Sequence, residues 1–265
     1  MVYSESDLPP LLVDLIRSAQ GATRSEAVAS QADLCTGEVA VDAPPFFDAI
    51  SLSEAIEIYT AVRFIKPTDS AEIGFCCGGS GMAILKALAD NDRGTHHVCD
   101  PYQTSYANGT GRGNVETAAL ADRLKFHEAF PEQVVPIFPR LQFAFVDASH
   151  LFDLSVLDFV LIDKKLDVGG VIAFHDLWMG SLQKLTRYIL RNRGYRLFAP
   201  PGAPLRPRTT WSRRVIGAIL RRFPGADKVF TQELLHPWTT FGIGNLLMLQ
   251  KIHDDDRDWR HFVRF

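Results

Sequence analysis

Two short segments carry the residues best suited to chemistry. In the first, the apolar run Phe143-Ala144-Phe145-Val146 ends on Asp147-Ala148-Ser149-His150; in the second, Gly170-Val171-Ile172-Ala173-Phe174 ends on His175-Asp176. Each run has the length and composition of a buried strand, so each acid stands where a strand gives way to a loop. In one parallel sheet, both acids would open toward the crevice above its carboxyl edge. Carboxylates brought together repel. The pair is then stable with a raised pKa on one acid or a divalent cation between them, and oxygen donors favour ions of the magnesium or calcium kind. Two other readings stay open: Asp176 orients an imidazole, His150 or His175, as a general base without any ion, or each acid caps a helix N-terminus. Histidine, with an ordinary pKa of about 6.5, can take a proton from a hydroxyl near neutral pH.

A second constellation lies upstream. Residues 70–100 read as a strand, a glycine-rich turn, a helix and a second strand ending on Asp100. Glu72 and Ile73 lead into Gly74, while Gly78, Gly79 and Gly81 keep the turn free of Cβ atoms and leave the amides at the helix start open to a ligand. Asp100, about 20 residues past the loop, is where such units place the carboxylate that accepts from ribose hydroxyls. The spacing is G-x-x-x-G-x-S-G with no Lys or Arg, not the G-x-G-x-x-G of a dinucleotide loop. Phosphate is poorly served, which argues against a nicotinamide-dependent Rossmann enzyme. The acid beside the loop suits a ligand bearing an amino group and a sulfonium, the chemistry of S-adenosylmethionine.

At these residues the chain resembles the class I S-adenosylmethionine-dependent methyltransferases, and among them the catechol O-methyltransferase-type and methyltransferase family 24-like proteins. Their E-[LI]-G-x-x-x-G-x-S stretch is matched by Glu72, Ile73, Gly74, Gly78 and Ser80. The resemblance implies S-adenosylmethionine as cofactor, with Glu72, Gly74, Gly78, Ser80, Asp100, Glu128 and Asp147 as its binding set. It also implies magnesium on Asp147 and Asp176, and a catalytic set of His150, Asp147 and Asp176. Two positions depart from the family: His150 stands where a lysine base is found, and Leu177 replaces the third metal ligand, an asparagine beside the second acid. The implied reaction is O-methylation of a small-molecule or sugar hydroxyl by in-line methyl transfer, with His150 as base. A non-catalytic cofactor-binding scaffold is the alternative from another class.

Strands alternating with helices predict an α/β, Rossmann-like doubly wound fold with a mostly parallel seven-stranded sheet. The last strand, Asn245–Ile252, is antiparallel by the resemblance. The expected organisation is a helical cap and loop over 1–50, a methyltransferase domain over 51–252, and a tail over 253–265. Within the domain, Ser51-x-x-Glu54 has the form of a capping box, 101–114 reads as a loop and 115–124 as a helix. The helix over 151–166 is expected to be buried, with Asp158, Asp163, Lys164 and Lys165 toward water. The loop over 21–47 is a candidate cover for the cofactor.

With 265 residues, 46% of them hydrophobic, the chain can bury one sizeable core. A net charge of −3 gives no global pull toward nucleic acid, and none is expected as a partner. The four cysteines (Cys35, Cys76, Cys77, Cys99) show no zinc spacing and read as reduced, pointing to a cytoplasmic chain. The first 20 residues lack a basic stretch followed by an apolar run, and no apolar stretch approaches the about 18 residues of a membrane span. Within an excursion over 199–240, Arg206, Arg208, Arg213, Arg214, Arg221, Arg222 and Lys228 face a single acid, Asp227, around an apolar stripe of helical period. This basic segment, 206–228, has three readings: a solvated helix face, a lid attracting an anionic acceptor such as a sugar nucleotide, and a peripheral contact with an anionic membrane. The resemblance leaves room for a homodimer.

Overall fold

The structure, a computed structural model, describes residues 3–21, 50–177, 179–202, 211–226 and 245–263. The chain divides into two compact units, Met1–Ile137 with Pro200–Gly202 and Phe138–Ala199 with Ala203–Phe265. Among the described residues, seven strands form a mixed, mostly parallel sheet with flanking helices, as expected.

The first unit runs α1 (Pro10–Gly21), α2 (Leu52–Ile65), β1 (Asp69–Ile73), α3 (Gly79–Asp90), β2 (Thr95–Cys99), α4 (Thr110–Thr117), β3 (Leu124–His127) and α5 (Pro131–Val134). The capping box at the start of α2 forms: Glu54 N donates to Ser51 Oγ at 3.3 Å and Ser51 N to Glu54 Oε2 at 2.7 Å. The strands lie in the order β3-β2-β1, all parallel, with Ile73 paired to Cys99 and Cys99 to His127. That register levels the strand ends, so Gly74 N donates to Cys99 O and Asp100 N to His127 O. Ala71, Ile73, Val98 and Cys99 are buried with Ile84, Leu85 and Leu88 of α3, as strands covered on both faces require.

One expectation is corrected here. The helix placed over 115–124 runs instead from Thr110 to Thr117, beginning inside the stretch read as loop and ending well before residue 124. Gly111 and Gly113 argued against helix on propensity. Packing overrides it, because a Cβ on Gly111 would overlap the carbonyl of Cys76 and the ring of Phe75.

The second unit runs β4 (Leu141–Val146), α6 (Phe152–Lys165), β5 (Leu166–Phe174), α7 (Gly180–Asn192), β6 (Tyr195–Phe198), α8 (Trp211–Leu220) and β7 (Leu247–Lys251). Its strand order is β4-β5-β7-β6; β4 and β5 are parallel, and β7 is antiparallel to both neighbours. Pairing of Val146 with Phe174 puts Asp147 and His175 level at the ends of their strands. The orientation expected of α6 is corrected: Asp158 and Asp163 are buried, while Leu154 and Leu157 are exposed.

The expected helix within the basic excursion is present as α8, with Ile216, Ile219 and Phe223 exposed. Arg206, Arg208, Lys228 and the loop over 21–47, apart from its first residue, lie outside the described residues. Among the described residues no helix is long and apolar enough to cross a membrane.

Candidate active site

The glycine loop of the first unit is built from its own backbone. Gly74 (φ 84) and Gly78 (φ 76) take the left-handed conformation that glycine alone adopts freely. The Phe75 ring is buried and edge-on to Phe126 at 5.4 Å between centroids. A Cβ on Gly81 would overlap that ring, and one on Gly78 would come within 3.0 Å of Gly111 O.

Asp100 holds the turn. Its Oδ2 accepts from the amides of Phe75 and Cys76, both at 3.0 Å, and its Oδ1 from Tyr102 N at 2.9 Å. A carboxylate offers about four lone-pair sites, so three amides leave capacity for a ribose hydroxyl. Glu128, exposed beyond β3, accepts from Thr104 N at 2.8 Å and Thr104 Oγ1 at 2.9 Å, bonds that hold its pKa below the ordinary value.

Glu72 needs a correction. The resemblance implied a ligand to the cofactor, but its side chain is fully buried. Ser80 Oγ donates to Oε1, and His96 Nε2 lies 2.8 Å from Oε2, with Ser70 Oγ behind the ring at 2.9 Å from Nδ1. Glu72 supports the loop from beneath through Ser80.

The second constellation assembles at the ends of β4 and β5. His150 Nε2 lies 2.8 Å from Asp176 Oδ2 and 3.6 Å from Asp147 Oδ1. His175 Nδ1 lies 3.3 Å from Asp147 Oδ2 and 3.6 Å from Asp176 Oδ1. Two acids and two imidazoles therefore alternate. The turn carrying His150 is fixed by Ser155, whose Oγ donates to Ser149 O at 2.7 Å and Leu151 O at 2.8 Å. Asp176 sits at φ 54, a left-handed conformation that Asp tolerates better than most residues.

Asp147 and then Asp176 raise the pKa of His150 to about 9, the shorter contact being to Asp176. Burial opposes charge on both acids, but the imidazoles outweigh it and hold both pKa values below the ordinary one, with the Asn245 amide helping at Asp176. The His150 side chain remains 36% exposed, so a substrate can reach the ring.

The structure thus brings Asp147, His150 and Asp176 together in one unit and Gly74, Gly78, Ser80 and Asp100 around one turn in the other. Sequence reasoning missed Asn245, just before β7. Its Nδ2 donates to Asp176 Oδ1 at 3.0 Å and lies 3.2 Å from His175 Nε2. No local signal marks it, because its partners are some 70 residues away.

Whether magnesium fits can be judged from these donors. Asp147, His175 and Asp176 offer ligand atoms within 4.8 Å of one another. The set holds two carboxylates and one nitrogen, whereas magnesium takes near-octahedral oxygens. The position beside Asp176 that would add an oxygen is Leu177, apolar and buried. Two carboxylates can hold magnesium with waters, but here imidazoles lie against both acids and the Asn245 amide donates to Asp176, so the residues as they stand fit that ion poorly.

Residues 71–177 match a family model described as a methyltransferase domain. No curated protein matches the chain. Among solved structures, the S-adenosylhomocysteine-bound methyltransferase PaMTH1 of Podospora anserina superimposes with a TM-score of 0.55 at 14% identity, covering 93% of this chain and 89% of that one. The cofactor-bound Rv0187 from MTB does so at 0.51 and 16% identity, over 72% and 88%. Such likeness shows the fold. Residues 71–177 thus resemble a methyltransferase domain, and the fold is the Rossmann-like one that the chain shares with these solved structures.

Proposed function

We propose that this protein methylates the hydroxyl of a small molecule or sugar, using S-adenosylmethionine. The observation that carries the reading is the half-exposed imidazole of His150 held against two carboxylates. Gly74, Gly78 and Asp100 would hold the cofactor: the turn offers backbone amides, and Asp100 has an acceptor site to spare. The fold is shared with a methyltransferase solved with S-adenosylhomocysteine. When bound, the cofactor supplies a methyl already activated on sulfonium, passed in line to the acceptor oxygen.

His150 supplies the proton acceptor. Nε2 lies against Asp176 without being aligned for a hydrogen bond in this conformation; with the ring proton on that nitrogen, Nδ1 is left to accept from the substrate hydroxyl, the logic of an acid-oriented imidazole. A pKa of about 9 keeps the ring mostly protonated at neutral pH, so the rate rises with pH until that value is passed. The test is His150→Gln, which keeps hydrogen-bonding capacity and loses the base. S-adenosylhomocysteine formation with a panel of phenolic and sugar acceptors should fall about 10²- to 10⁴-fold, with calorimetric affinity for S-adenosylhomocysteine unchanged. An unchanged rate removes His150 from the mechanism.

A second reading, a non-catalytic chain that retains the fold, draws on the same turn. Phe75 packs against Gly78 and Gly81, and Asp100 already serves three amides. It predicts no turnover with any acceptor. Titration with S-adenosylhomocysteine and NADH excludes the methyltransferase reading if neither binds.

A further inference from the structure

The two acids do not present open oxygen lone pairs to a common point; imidazoles already stand against them. His150 Nε2 touches both carboxylates, at 2.8 Å and 3.6 Å, from one side. His175 Nδ1 touches both from its own contacts at 3.3 Å and 3.6 Å.

Asn245 decides what His175 can do. A carboxylate only accepts, so the contact with Asp176 Oδ1 at 3.0 Å fixes which end of the amide is nitrogen. That nitrogen also lies 3.2 Å from His175 Nε2, which must then be the acceptor. The ring proton therefore resides on Nδ1, facing Asp147, and Nδ1 has no lone pair for a metal. With Leu177 supplying no oxygen, a divalent ion would find two carboxylates, and the amide oxygen of Asn245 only if that side chain turned over and gave up its bond to Asp176.

We propose that this site works without a divalent cation, the ring of His150 taking the ion's place between Asp147 and Asp176 and Asn245 fixing the tautomer of His175. The proposal rests on the reading of Asp147, His150 and Asp176 as the reacting site. It is tested by ion binding, with neither cofactor nor acceptor present, so failure of the methyl-transfer reading would not touch it. Asn245 is a positioning residue in this scheme, acting through His175 and Asp176.

The experiment is a titration of the full chain with Mn²⁺, followed by electron paramagnetic resonance and calorimetry, and repeated with Mg²⁺. The wild-type protein should bind neither ion at millimolar concentration. His150→Ala should vacate the gap and gain Mn²⁺ affinity by about 10- to 100-fold, the order of change usual for altering groups around a metal. Adding Asp147→Asn to that variant should abolish the gain. Circular dichroism verifies folding, and His150→Gly is the second variant should the alanine form aggregate. Asn245→Leu should shift the His175 ring resonances in nitrogen-15 spectra toward the other tautomer. Wild-type binding of Mn²⁺ or Mg²⁺ that Asp176→Asn weakens tenfold would overturn the proposal, and so would a folded His150→Ala that gains no ion.

Discussion

Among the described residues of the second unit, two networks of charge differ in the kind of cation that balances the acid. Around Asp163 the partners are Arg193, in a direct ion pair, the Tyr195 hydroxyl at 2.6 Å, and Lys251 at 3.4 Å. Around Asp147 and Asp176 the partners are two imidazoles and one amide. Arginine and lysine stay charged across the whole physiological range; histidine does not. Burial differs too: Arg193 and Lys251 side chains are 8% and 3% exposed, His150 36%. A closed network of permanent charges serves to hold α6, β6 and β7 together. A network balanced by titratable rings and open on one side can exchange protons with a substrate.

The comparison breaks most sharply at Asp163. Asp163→Ala would leave Arg193 and Lys251 with only the more exposed Asp255 and Asp254 as acid partners, and removing one partner of a buried pair destabilises by about 3–5 kcal/mol. Urea unfolding should show that loss. A change below about 1 kcal/mol would mean the network contributes no more than a surface pair.

A pH series sharpens it. The folded pKa of His150 is raised above its unfolded value. Its contribution to stability is therefore fully present below about 6.5 and is lost as pH rises through about 9. After allowance for solvent screening of a ring this exposed, the loss is about 1–2 kcal/mol. Denaturation midpoints of the wild type should fall between pH 6.5 and pH 9, and those of His150→Gln should stay flat over that window. Methyl transfer should rise over the same window. Stability and activity then move in opposite directions, and parallel movement would contradict the assignment of His150 as base.

Both networks test what the sequence could disclose. The strand ends at Asp147 and Asp176 were legible because an apolar run followed by an acid is a local pattern, and parallel pairing of β4 with β5 brings the ends together. The glycine turn was legible for the same reason, its spacing reporting backbone directions. Asp163 was misread. Helix α6 carries leucines on an exposed face, so its apolar period did not mark the buried one. What buries Asp163 is Arg193, Tyr195 and Lys251, residues 30 to 88 positions away that no window along the chain contains. Asn245 escaped for that reason as well. Glu72 shows a further limit: the motif placed it correctly beside the loop, yet His96 on β2 decides that it faces inward.

The smallest effect separates the hydroxyl from the charges within the Asp163 network. Burial and the bond to Asp163 push the Tyr195 phenol pKa far above its ordinary value, so it stays a neutral donor at every pH the fold survives. Tyr195→Phe removes that one donor and leaves Arg193 and Lys251 on the acid. The ring still packs edge-on to Phe159 at 5.7 Å, so little apolar burial is lost. One hydrogen bond to a charged acceptor is worth about 1.5 kcal/mol, and the remaining cations recover part of it, leaving an expected loss of about 1 kcal/mol. A loss as large as that of Asp163→Ala would mean that the hydroxyl, and not the cations, sustains the network. Differential scanning calorimetry of the two variants side by side reads the difference directly.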